Sequence, residues 1–134
     1  MRISTMAALL SLAATLVFGC PRPEARVKNA RDRLIVRIAE YHDALSWRDF
    51  DLAVKFIAPE SRIEFKALTK QMERGYTLDS WVLRDLTTAE SGDRAEAVVL
   101  RSFIMPPSVT LQSESVLLAW VLIEKEWYLA GPPF

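Results

Sequence analysis

Val116 to Ile123 is an unbroken apolar run, Val-Leu-Leu-Ala-Trp-Val-Leu-Ile. Side chains alternate sides along a strand, so a run of this kind is more than the single inward face of a solvated strand, and it predicts cover on both faces. A membrane-spanning helix needs about 20 such residues, so the run reads as a central strand of a soluble core. A polar turn, Glu124-Lys125-Glu126, then sends the chain back along a short return strand, Trp127-Tyr128-Leu129.

Length and charge bound what can be built around this strand. The 134 residues suffice for one domain with its own core, without a staple of disulfides or metal. Lysine plus arginine number 17 and aspartate plus glutamate 17, which leaves no net field to hold a phosphate backbone, so nucleic acid is not expected as a partner. With one cysteine and one histidine, an internal disulfide and multi-ligand zinc spacings are excluded by counting. The four glycines are scattered, so there is no phosphate-cradling loop, and no cofactor is expected.

The chain opens with Arg2, an apolar stretch from Met6 to Phe18, and the sequence Val17-Phe18-Gly19-Cys20. This ending resembles the lipobox of bacterial lipoproteins, although Phe18 is bulkier than the small residue usual at its position. The resemblance implies a signal peptide over residues 1–19 and several acyl chains, palmitate among them, on Cys20. Stable anchoring takes more than one chain, so the protein would be held to a membrane without spanning it. Residues 20–26, with Pro21 and Pro23, read as the lipidated cysteine and a stiff spacer, and residues 27–134 as the folded domain. The expected location is the bacterial cell envelope, on the extracytoplasmic side, which is the periplasm in a Gram-negative cell.

From about Glu24 to Trp47, Val27, Ala30, Leu34, Ile38, Tyr41 and Leu45 recur at helical spacing, with Ile35, Ala39 and His42 widening the stripe. A second, shorter helix is expected from Asp49, whose carboxylate can cap it, and Pro59 stops it. Ser61-Arg-Ile-Glu64 has capping-box spacing and predicts a third helix that ends at Gly75. Tyr76 to Ala89 and Arg94 to Met105 then read as strands joined by a hairpin at Glu90-Ser-Gly-Asp93. The expectation is an α+β domain, with three N-terminal helices packed on a curved four-stranded antiparallel sheet.

The long first helix, Ser46-Trp-Arg-Asp-Phe-Asp-Leu-Ala-Val54 closing onto Phe56 and Pro59, and the terminal hairpin ending in Glu126-Trp-Tyr-Leu129 resemble the nuclear transport factor two-like superfamily. Its fold, also called the ketosteroid-isomerase-like or cone-shaped α+β roll, would cover most of residues 27 to 130. The superfamily includes isomerases, dehydratases, binding modules and dimerisation domains, so the resemblance implies a fold and no single function.

Candidate site residues are few. His42 is the one side chain with an unperturbed pKa near neutrality, and its spacing sends it toward the core or a pocket beside Tyr41. Arg84, Asp85 and Arg101 are mid-strand charges that need partners if buried, and they either pair across the hairpin or rim a polar pocket. The resulting expectation is a non-catalytic binding or protein-interaction module. Alternatives are an isomerase or dehydratase working in the cone through His42, Tyr41 or the Arg84, Asp85, Arg101 group, and a structural component of an envelope assembly. A small-molecule ligand fits the first two. The helices can cover only one face of the third strand, which predicts a homodimer or a protein partner on the outer sheet face. If Trp120 lies on that outer face, Trp120→Glu is expected to give monomers and Leu117→Glu to unfold the domain.

Overall fold

The computed structural model describes residues 23–134, with side chains from Asn29 onward, so the leader and Cys20 lie outside the described residues. Helix α1 (Pro23–Ser46) is followed by one turn of α2 (Phe50–Ala53), two single 3-10 turns (Val54–Phe56 and Pro59–Ser61) and α3 (Arg62–Met72). Four strands complete the chain: β1 (Thr77–Thr88), β2 (Arg94–Ile104), β3 (Gln112–Ile123) and β4 (Glu126–Leu129). They form one antiparallel sheet in the order β1-β2-β3-β4. No described helix is long and apolar enough to cross a membrane.

Proline lacks an N–H that the first helical position does not need, so α1 can start at Pro23 and takes in residues assigned above to a spacer. Its apolar stripe buries Leu34, Ile38, Tyr41, Ala44 and Leu45 against the sheet, while Ile35 and Val36 face outward. Hydrogen bonds lock the helix in place: Arg31 Nη1 donates to Leu86 O at 2.9 Å, Arg37 Nε to Trp127 O at 3.1 Å, and Trp127 Nε1 to Ala30 O at 2.9 Å.

Local signals held in part. Asp49 caps α2 as expected, accepting from the Leu52 N–H at 3.1 Å. Ser61 makes no side-chain cap on α3, because it closes a 3-10 turn with its own backbone in the helical region (φ −105°, ψ −1°) where a capping serine needs an extended one. Gly75 follows α3 at φ +132°, and a Cβ there would meet Pro106 Cγ at 2.9 Å, so glycine is required both for conformation and for room. The hairpin between β1 and β2 forms where expected, with the Ala89 N–H bonded to Arg94 O and Gly92 at positive φ.

The inner sheet face carries Val116, Leu118 and Trp120 of β3, with Ala95, Ala97 and Val99 of β2, all buried. Cover on both faces of the apolar run, expected above, is not what the structure has. All three helices lie on one side, so Leu117 is 50 % exposed and Ala119 is open. Trp120 is therefore an inner residue at 1 % exposure and Leu117 an outer one, the reverse of the arrangement in which Trp120→Glu would give monomers. On β1 the register slips between Leu78 and Ser80 and between Leu83 and Asp85, leaving Asp79 and Arg84 as bulges that bend the strand.

Candidate functional site

Arg101 sits in mid-β2, opposite Trp81 on β1 and Glu114 on β3, at an inward-facing position beneath α1. It is only 4 % exposed, and a guanidinium cannot shed its charge, so desolvation must be offset by partners. Its Nη2 lies 3.4 Å from Glu114 Oε1, and that carboxylate is itself 46 % exposed. The Arg101 Nε–H is buried with no hydrogen-bond partner among the described residues.

Tyr41 reaches the same place from α1, positioned by the helical spacing that buries Ile38 and Leu45 on either side of it. Its ring meets Phe56, Phe65 and Trp120 with centroids 6.1 to 6.3 Å away, which leaves it one orientation. The hydroxyl is buried and makes no hydrogen bond of proper geometry among the described residues. Burial drives the Tyr41 pKa far above the ordinary phenol value, and the nearby Arg101 charge offsets part of that rise. Tyr76, whose ring stacks on Phe103 at 5.7 Å, is likewise raised by burial.

Between these groups lies a cavity of about 200 Å³. Tyr41, Tyr76, Arg101 and Glu114 are its polar lining, and Leu45, Phe65, Leu68, Met72, Phe103, Met105 and Phe134 form the apolar remainder. Phe134 reaches it by packing its ring edge-on against Phe65 at 5.2 Å.

His42 does not join this lining. Its Nδ1–H donates to Ile38 O at 2.7 Å, and the ring stacks on Trp81 with centroids 4.8 Å apart. A carbonyl only accepts, so Nδ1 carries the proton and the buried Nε2 is left as an unpartnered acceptor. Burial lowers its pKa to about 4, the hydrogen bond to Ile38 opposes this, and the charge on Arg101 adds to it. The imidazole is neutral at pH 7. Arg84 and Asp85 are exposed, Arg84 on its bulge and Asp85 with Oδ1 accepting from the Leu86 N–H at 2.9 Å. Neither pairs with Arg101 nor lines the cavity.

Of the five residues singled out from sequence, the cavity unites Tyr41 and Arg101. Sequence reasoning noted Tyr76 as an available tyrosine without placing it in the site, and passed over Glu114 and the aromatic wall. Glu114 carried a partial signal: two-residue alternation back from Trp120, Leu118 and Val116 puts it on their face of the strand, where a carboxylate calls for a cation if that face is the buried one. Among the described residues no three His, Cys, Asp or Glu side chains converge as metal ligands.

No family model matches the chain, and no curated protein matches it in sequence. Solved structures do match in shape. A Mycobacterium tuberculosis protein of unknown function superposes with a TM-score of 0.65 at 12% identity, over 84% of this chain and 75% of that one. An NTF2-like protein with a cystatin-like fold from Novosphingobium aromaticivorans matches at 0.56 and 15% identity, over 82% and 86% of the two chains. The fold is NTF2-like. A protein of unknown function with a cystatin-like fold from Nostoc punctiforme matches at 0.51 and 14% identity, over 77% and 91%. In this nuclear transport factor two-like roll the cavity lies inside the cone, between α1, α3 and the concave sheet face.

Proposed function

We propose that this protein is a membrane-tethered extracytoplasmic lipoprotein whose domain is a non-catalytic binding module, taking a small molecule into the cone. The observation that carries the binding reading is that two residues lining a largely apolar cavity, Tyr41 and Arg101, each hold a buried polar atom without a partner, Oη and Nε. Unmet polar groups at an apolar cavity are what a ligand with one polar end and an apolar body satisfies. The same lining argues against proton-transfer chemistry, since His42 lies outside it with its Nδ1–H held by the Ile38 carbonyl.

The tether rests on Val17-Phe18-Gly19-Cys20. Cys20→Ser should abolish fatty-acid labelling and release the protein from the membrane fraction, and unchanged labelling overturns the anchor. For the binding arm, small amphipathic molecules should raise the melting temperature of the wild type saturably. A cavity-filling Leu68→Phe variant should lose that response, and equal shifts in both proteins overturn the binding reading.

An exposed apolar patch on the outer sheet face supports a second contact. Leu117 and Val82 are about half exposed there, at 50 % and 49 %, beside Val98, Leu100 and Val121. Such a patch fits a second copy of this chain or a protein partner.

A further inference from the structure

We infer that the cone cavity selects a small apolar monocarboxylate, held by Arg101 and Tyr41. This rests on the reading of the cavity as a binding site and names the ligand class.

The sign of the ligand follows from Arg101. It is a permanent cation at 4 % exposure, yet its pairing with Glu114 is a single contact at 3.4 Å, longer than a strong charge-assisted hydrogen bond. The Nε–H points into no acceptor among the described residues. Guanidinium N–H groups lie in one plane at a spacing that matches the two oxygens of a carboxylate, so an incoming carboxylate takes Nε–H together with a neighbouring Nη–H. The Tyr41 hydroxyl keeps its proton and is a donor without an acceptor, so it completes the set by donating to one of those oxygens.

Charge and size of the ligand follow from the remaining lining. Glu114 repels a second negative charge, and the apolar wall has nothing to solvate one, which disfavours phosphates and dicarboxylates. A space of about 200 Å³ corresponds to roughly six or seven waters, enough for a carboxylate on one ring or a short branched chain. Phe65, Phe103, Met105 and Phe134 supply the faces for that body. Because Glu114 is 46 % exposed, it can turn toward solvent as the ligand takes its place on Arg101.

The test is calorimetric titration of the full-length protein with phenylacetate and with its neutral isostere, phenylacetamide. Phenylacetate is expected to bind at least about tenfold more tightly than the amide, the ratio one charge-assisted interaction supplies. Arg101→Gln should abolish that preference. Glu114→Gln, which removes the internal competitor, should tighten phenylacetate binding, and Tyr41→Phe should weaken it; these two variants carry the test if Arg101→Gln does not fold. Equal affinity for acid and amide overturns the carboxylate assignment and leaves the binding module standing. Binding of neither overturns both. A preference for the acid that survives in folded Arg101→Gln, or is unmoved in both Glu114→Gln and Tyr41→Phe, places the anion elsewhere and overturns the inference.

Discussion

His42 shows how far a single side chain's role depends on what surrounds it. The unfolded chain takes up a proton near pH 6.5, whereas the folded site does so only near pH 4. Between these values the unfolded state binds more protons, so stability is intact above pH 6.5, falls as the pH drops through the window, and levels off below it. The full loss is up to about 3 kcal/mol for this fully buried group. Urea melts at pH 7 and pH 4.5 should register most of that difference in wild type and a smaller one in His42→Phe, which keeps an aromatic ring on Trp81. An identical pH loss in both proteins would show that carboxylates elsewhere dominate. Helical spacing alone was enough to send Tyr41 and His42 inward. Their division of labour was not legible, because it turns on which rings Trp81, Phe56 and Trp120 bring from elements distant in sequence. Arg101 was legible as a charge in need of a partner, while its partner waited on the β2–β3 register.

At the scale of elements, periodicity located the first helix, the β1–β2 hairpin and the four strands, since each is specified by local spacing or turn chemistry. The capping serine failed because a 3-10 turn ahead of α3 had already set its backbone. The return strand β4 is only four residues long, yet it joins three parts of the molecule. Trp127 lies 1 % exposed against the core, and its Nε1–H binds the Ala30 carbonyl of α1 at 2.9 Å. Its own carbonyl accepts from Arg37. Trp127→Ala should therefore cost about 3 to 5 kcal/mol in denaturant melts. A loss below about 1 kcal/mol would mean that the strand contributes little to holding α1.

At the scale of the molecule, the helices and the open sheet leave two unlike surfaces, and the outer sheet face carries Leu117 and Val82 half exposed. Burying the exposed halves of Leu117 and Val82 against a partner would contribute roughly 1 kcal/mol each. On this reading the protein sediments as a dimer. Leu117→Glu should then give folded monomers, and Trp120→Glu, at an inner position, should unfold the domain. A wild-type protein that stays monomeric at high concentration, with Leu117→Glu indistinguishable from it, would sink the proposal. Alternation had identified the two faces of β3 without fixing which one the helices would take, because Trp120 and Leu117 are both apolar and only the packing of α1 decides between them.

The bulges on β1 bear on a different hazard. A free strand is a template onto which another chain can add by backbone pairing, and a twelve-residue border would invite a ribbon growing without limit. Asp79 and Arg84 interrupt that border at two points, each with a charged residue, so an incoming strand meets a broken ladder. On the opposite border the chain covers β4, where Ile57 bridges Leu129 and the Ala58 N–H bonds the Leu129 carbonyl at 2.9 Å, but β4 pairs only with Trp120 to Ile123 of β3. Strand addition is therefore hindered along β1 and at β4, while the first half of β3 keeps an open edge. The stretch from Gln112 to Leu118 is thus where a backbone ladder from another molecule would find room.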